Sequence, residues 1–127
     1  MYSTAARAYF NTKVTTTSQE EIVVMLYEAA IKFLEQAKVM IEEKDYQEKG
    51  NSISKALDII AELDGSLNTE KGGEVAQNLH AMYMFCQSRL LMANLKMDIA
   101  IIDEVIQMLK SVGSAFAEVI KKQKGNG

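Results

Sequence analysis

Apolar residues recur at steps of three and four along four segments of this chain, which is the spacing of one face of an α-helix. The segments cover residues 18–43, 45–65, 74–95 and 98–122. In the first segment the apolar face consists of Ile22, Val23, Leu26, Ala30, Phe33, Leu34, Ala37 and Ile41. Four helices with short links predict an all-α fold, an antiparallel up-down-up-down four-helix bundle.

Capping residues predict where the first two helices begin. Ser18 with Glu21, and Asp45 with Glu48, each have the spacing of a capping box, in which the first side chain accepts a backbone N–H and the second reaches back. Because only Lys44 separates the two segments, the chain either reverses sharply there or continues as one bent helix. We expect the reversal.

The remaining boundaries follow from glycines and one aspartate. Residues 68–73 (NTEKGG) predict a turn, since Gly72 and Gly73 tolerate backbone angles that other residues avoid. Asp98 is the expected N-cap of the fourth helix. The chain is thus expected to form one domain over residues 1–127, with an N-terminal arm at 1–17, the bundle at 18–122 and a frayed tail at 123–127.

The arm is polar but carries three aromatic residues, Tyr2, Tyr9 and Phe10. A plain disordered tail seldom contains so many aromatic side chains. Two interpretations stay open. The arm is either a docked turn or short helix that caps the bundle permanently, or a plug that detaches when a partner binds.

Composition excludes several classes of protein. The net charge of −3 argues against a nucleic-acid-binding protein, which needs a basic face. The single cysteine, Cys86, cannot form an internal disulfide. No apolar run approaches the roughly 20 residues of a membrane span, and the N-terminus lacks the pattern of a signal peptide. We therefore expect a protein of the reducing cytoplasm, monomeric or weakly dimeric.

Several apolar residues exceed what a bundle core requires. Val24, Tyr27 and Ile31 form a second stripe on the first helix, beside its main apolar face. Further surplus residues lie on the third and fourth helices: Met84, Phe85, Ile101 and Met108. Soluble proteins rarely leave such surface in water, so the arm and a wide core cover it, or a partner or second copy does.

Candidate chemistry is sparse. His80 is the only histidine, and a bundle with one exposed histidine is compatible with a phosphotransfer signalling domain that uses His80 as its phosphoacceptor. However, Ala81, Met82 and Tyr83 follow it, without the nearby lysine that such domains usually have. Cys86 falls on the apolar face of its helix, as a small core residue does. We expect no catalytic residue, no cofactor and no metal site.

Four segments together resemble the FliS family of flagellar export chaperones. Residues 15–37 (TTTSQEEIVVMLYEAAIKFLEQA) are similar to its most recognisable motif, which Ser18, Glu21, Met25, Leu26 and Tyr27 match. The other matching segments begin at Ile53 (ISKALDIIAELDGSLN), Gly72 (GGEVAQNLHAMY) and Leu90 (LLMANLKMD). Gln19, Ala29 and Phe116 depart from the usual proline, glycine and tryptophan. Because alanine carries a Cβ atom that glycine lacks, Ala29 leaves less space for another helix to approach at that point.

The resemblance implies a cytoplasmic chaperone that has no enzymatic activity. Members of this family bind the disordered C-terminal segment of flagellin, prevent its premature polymerisation and assist its delivery to the flagellar export gate. A co-chaperone is a further candidate partner. We expect the arm to compete with the cargo, and the cargo groove to be lined or supported by Val24, Tyr27, Ile31, Leu79 and Tyr83.

Overall fold

The computed structural model describes the backbone of residues 19–126 and, apart from Gln19, Thr69 and residues 123–126, their side chains. This part of the chain forms four helices: α1 (Gln19–Glu42), α2 (Tyr46–Gly65), α3 (Thr69–Lys96) and α4 (Ile99–Asn126). The predicted four-helix bundle is confirmed. The arm lies outside the described residues, and so do Ser18 and its predicted cap.

The link between α1 and α2 is a sharp reversal, so the alternative of one bent helix is wrong. Lys44 adopts a left-handed backbone conformation with φ of 62°, which ends α1. The side chain of Asp45 then accepts a hydrogen bond from the backbone N–H of Glu48 at 3.2 Å, as predicted for a helix N-cap. The side chain of Glu48 accepts a hydrogen bond from the side chain of Asn51 and does not complete the predicted capping box.

The predicted turn at residues 68–73 is wrong in part, because most of it is helical. The side chain of Asn68 accepts a hydrogen bond from the backbone N–H of Lys71 and caps α3, which begins at Thr69. The helix is kinked at Gly73, where φ is 52° and ψ is −127°. Only a glycine takes this conformation without strain. The straight part of α3 starts after it, near the predicted position.

The link between α3 and α4 contains two residues. Met97 has φ of 54° and ends α3. Asp98 follows, and its side chain accepts from the backbone N–H of Ala100 at 2.9 Å, so the predicted cap is confirmed. The backbone of α4 remains helical through Asn126, beyond residue 122, where the sequence placed the end of the bundle.

The four helices pack in a ring around one core. Helix α1 packs against α2 and α4, and α3 packs against the same two helices, so α1 and α3 lie at opposite corners. The core side chains come from all four helices and include Leu34, Ile53, Ile60, Leu90, Ile102, Ile106 and Leu109. Polar contacts tie neighbouring helices at the surface, such as Lys38 with Asp103 at 2.6 Å.

Burial corrects several sequence expectations. Tyr27 and Ile101, assigned to surplus surface, are buried. Val75 belongs to the apolar spacing of the third predicted segment but is 67% exposed. Met84 and Phe85 are exposed, as predicted. The spacing of apolar residues gives the direction of a side chain, but it does not say whether another helix lies in that direction.

Candidate binding groove

A groove runs along the surface where α1 packs against α4, with a cavity volume of about 330 Å³. Its apolar lining comes from both helices: Val24, Tyr27, Ile31, Leu109, Gly113 and Ala117. Within each helix these positions are three or four residues apart, so they share one face. Three of the five residues predicted for a cargo groove therefore line a single surface.

Tyr27 forms the floor of this groove and is also a core residue. Its side chain is only 1% exposed. Its ring lies against Phe116 of α4, with ring centroids 6.0 Å apart, and its hydroxyl is 2.5 Å from the hydroxyl of Tyr83. Because Tyr83 belongs to α3, this hydrogen bond crosses the core between helices at opposite corners. The side chain that forms the groove floor is thus fixed by a hydrogen bond on the side that faces the core.

Both phenols are held in their neutral form. Burial raises the pKa of Tyr27, and the hydrogen bond with Tyr83 raises it further. Burial also raises the pKa of Tyr83. A neutral hydroxyl can both donate and accept, so one phenol donates to the other without a charge in the core. The groove floor therefore presents an uncharged surface.

Gly113 allows α4 to approach Tyr27 closely. A Cβ atom at this position would lie 3.3 Å from the Cβ of Tyr27, closer than ordinary van der Waals contact. Gly113 and Ala117 line the groove, although neither was predicted from the sequence. Small residues four positions apart on one helix face were the available signal, because they mark where a helix leaves room for another element.

The groove continues towards the N-terminal end of α1. An adjoining cavity of about 390 Å³ is lined by Glu21, Val24, Met25, Glu28, Ala117, Ile120 and Lys121. Val24, Glu28 and Ala117 line both cavities, so the two form one continuous groove. It reaches the first turn of α1, immediately after the residues of the arm. Tyr2, Tyr9 and Phe10 themselves lie outside the described residues.

Charged residues of opposite sign border the two sides of the groove. Glu21 and Glu28 come from α1, whereas Lys110 and Lys121 come from α4. An occupant with a basic side towards α1 and an acidic side towards α4 would match this arrangement. The two sides of the groove therefore differ in the sign of their charge.

The two predicted residues of α3 are placed differently. Tyr83 is buried and supports the groove from behind through its hydroxyl contact with Tyr27. Leu79 is half-buried and packs against the core from α3, so it does not line the groove between α1 and α4. The side chains of Met82, Met108 and Val112 line a separate cavity of about 390 Å³ between α3 and α4.

The described residues offer little reactive chemistry. His80 is 53% exposed, and its Nδ1 lies 2.6 Å from a carboxylate oxygen of Asp64, so it has a structural partner on α2. Burial raises the pKa of the Cys86 thiol to about 11, which keeps it protonated and unreactive. No group of three or more potential metal ligands occurs within residues 19–126.

Within the same described part of the chain, no helix has the length and apolar character needed to cross a membrane. The four helices instead carry their apolar side chains towards the core, the groove and a few exposed positions.

Comparison with known proteins identifies one family. The family model for "Flagellar protein FliS" matches residues 1–123. The flagellar secretion chaperone FliS of Salmonella typhimurium is 35% identical over 118 residues, which cover 92% of this chain and 87% of the relative. The corresponding chaperone of Bacillus subtilis is 32% identical over 117 residues, covering 92% and 86%.

One solved structure also matches the fold. It is described as a flagellar chaperone from bacteria, has a TM-score of 0.77 and covers 93% of this chain and 96% of its own. Its sequence identity is 16%, so the match supports the helical bundle alone.

Proposed function

The chain belongs to the FliS family of flagellar secretion chaperones, and from that premise we propose that it binds the disordered C-terminal segment of flagellin in the groove between α1 and α4. Proteins of this family are chaperones and not enzymes. The proposal extends to the consequences of binding: the covered segment cannot polymerise in the cytoplasm, and the complex is delivered to the flagellar export gate.

The continuous apolar groove carries this proposal. Val24 and Ile31 present apolar surface on one side, beside the buried ring of Tyr27, and Gly113 and Ala117 leave space on the other. A short helix of the cargo would bury its apolar face there, with anchors three or four residues apart. Ordering such a segment costs roughly 2–5 kcal/mol, so a chaperone needs preformed apolar surface to offset that cost.

The charged borders support one orientation of the cargo helix. Glu28 borders the groove on the α1 side and Lys110 on the α4 side. A bound helix that carries basic residues towards α1 and acidic residues towards α4 would pair with both borders. Charges at the edge of an interface contribute more to orientation and association rate than to affinity.

We also propose that the arm occupies this groove before the cargo arrives. The groove extends to the first turn of α1 at Glu21, where the arm joins the bundle, so Tyr9 and Phe10 are close to it along the chain. A tethered competitor acts at an effective concentration of order mM. Deleting residues 1–17 should then tighten cargo binding. Unchanged affinity would contradict competition, and weaker binding would make the arm part of the site.

A matched pair of tryptophan variants tests the groove directly. Ala117 lines the groove, whereas Ala115 is exposed on α4 and lines none of the cavities described above. Ala117→Trp fills the groove, and we expect it to weaken binding of a flagellin C-terminal peptide at least about tenfold in calorimetry. Ala115→Trp should bind as the unchanged protein does. Equal affinity of both variants would refute the proposed site.

A further inference from the structure

The charged residues that border the groove form one row on each side. On α1, Glu21 and Glu28 are about two helical turns apart, so they project from the same side of that helix. On α4, Lys110 and Lys121 are about three turns apart and also share one side. The two lysines therefore lie near the two ends of the groove wall that α4 contributes, ~16 Å apart at about 1.5 Å per residue.

The lysine row has no partner within the described bundle. Lys110 and Lys121 are exposed, and neither forms an ion pair with another residue whose side chain the structure describes. Lys110 lines the same cavity as Glu28 without pairing with it. Elsewhere between the same two helices, Lys38 of α1 pairs with Asp103 of α4 at 2.6 Å. Opposite charges of α1 and α4 thus pair where the helices touch and stay apart where the groove separates them.

The arm of the chain offers no partner for the lysines. Residues 1–17 contain Arg7 and Lys13 but no aspartate or glutamate. An arm that enters the groove can therefore match the acidic row on α1, whereas its basic residues are repelled by the row on α4. The lysine row is consequently unsuited to holding the arm and requires another explanation.

We propose that Lys110 and Lys121 determine cargo specificity: they favour a flagellin segment whose bound helix has an acidic edge, and they disfavour the chain's own arm. This inference rests on the proposed function, because it assumes a cargo helix in the groove. The ligand class is a helix with apolar anchors on one face and aspartate or glutamate residues about three turns apart along the edge that faces α4. Specificity is a difference between two affinities, and repulsion of the wrong occupant contributes to it.

The exposure of the lysines sets the size of the effect. Ion pairs at an exposed border change affinity only severalfold, and 1 M salt shortens the range of such interactions to about 3 Å. The contribution of the two lysines should therefore be severalfold at low salt and nearly absent at 1 M salt. The apolar lining supplies most of the affinity, and the lysines distinguish between two apolar segments that compete for it.

Substitutions in both binding partners test the pairing. A full-length Lys110→Gln, Lys121→Gln variant should bind a flagellin C-terminal peptide about three- to tenfold more weakly in calorimetry at low salt. A peptide in which every aspartate and glutamate is replaced by the amide should lose this dependence on the lysines. The Lys110→Arg, Lys121→Arg variant keeps both charges and should bind as the unchanged protein does. Lys122→Gln, exposed on α4 and outside both cavities of the groove, is the control.

A synthetic peptide of residues 1–17 tests the discrimination against the arm. Its binding to the full-length chain should not weaken in the Lys110→Gln, Lys121→Gln variant, because it has no acidic residue that would lose a partner. An equal loss of affinity for this peptide and for the flagellin peptide would overturn the inference. The lysines would then support the groove as such and would not distinguish between its occupants.

Two further results would overturn the inference and separate it from the proposed function. If the Lys110→Gln, Lys121→Gln variant binds the flagellin peptide normally while Ala117→Trp weakens binding, the cargo lies in the groove and the lysines do not select it. If Ala117→Trp also binds normally, the groove is not the cargo site, and the proposed function fails together with the inference. Circular dichroism checks that the lysine variants, which change exposed side chains only, remain folded.

Discussion

The groove between α1 and α4 and the outer face of α3 are both apolar, but they are built in opposite ways. The groove is concave, and its floor, Tyr27, is 1% exposed and belongs to the core. The outer face of α3 consists of exposed residues, which therefore contribute little to the packing of their own bundle: Met84, Phe85, Leu91, Met92 and Leu95. The two surfaces therefore differ in their part in the fold. A change in the groove alters the packing of the core, whereas a change on the outer face leaves that packing nearly unchanged.

Removing one large side chain from each surface should give the sharpest contrast. Tyr27→Ala removes the groove floor and leaves the Tyr83 hydroxyl without its partner, so the free energy of unfolding should fall by about 3–5 kcal/mol. Leu91→Ala removes an exposed side chain and should change it by less than about 0.5 kcal/mol. Urea denaturation measures both. Equal values would show that Tyr27 is not part of the core in solution.

Placing a carboxylate in the groove should have a smaller effect on folding and a large one on binding. Ile31 lines the groove and also packs against the core, so Ile31→Asp should cost about 1–3 kcal/mol of stability. Affinity for the flagellin peptide should fall by about tenfold or more.

Val39→Asp provides the control on the same helix, at an exposed position outside the groove. It should change stability by less than about 0.5 kcal/mol and leave peptide affinity unchanged. Thermal unfolding followed by calorimetric titration separates the two effects. If Ile31→Asp and Val39→Asp bind the peptide equally well, the groove is not where the cargo helix lies.

Two glycine substitutions should give the smallest effects and report how tightly the groove is built. Gly50 lies inside α2, and a Cβ there would meet nothing within 4 Å, so Gly50→Ala should stabilise the protein by about 0.5–1 kcal/mol. Gly113→Ala gains the same helix propensity but brings a Cβ within 3.3 Å of Tyr27, so its gain should be smaller or absent. Equal stabilisation would mean that α4 moves away from α1 freely.

The helices were predictable from the sequence because their signals are local. Asp45 and Asp98 cap α2 and α4 as expected, since a cap depends on residues only a few positions away. The start of α3 was misassigned for the same reason. Paired glycines at 72 and 73 indicate a turn locally, but Asn68 caps a short helical turn before the kink at Gly73.

The groove could be predicted only on one of its sides. Val24, Tyr27 and Ile31 form a stripe that spacing along α1 reveals. The opposite side depends on which residues of α4 lie against that stripe. The small residues Gly113 and Ala117 indicate that some element can approach α4 closely there, but not that this element is α1. The diagonal contact of Tyr27 with Tyr83 was also inaccessible, because the two residues are 56 positions apart and no local pattern relates them.

The buried pair of Tyr27 and Tyr83 gives the protein a built-in optical probe. The chain has no tryptophan to mask tyrosine signals, and these two phenols share a hydrogen bond in a place shielded from water. Their near-ultraviolet circular dichroism and the vibrational bands of their hydroxyl groups therefore report on the groove floor and its contact with the core. A change at the groove floor can thus be followed spectroscopically in unlabelled protein.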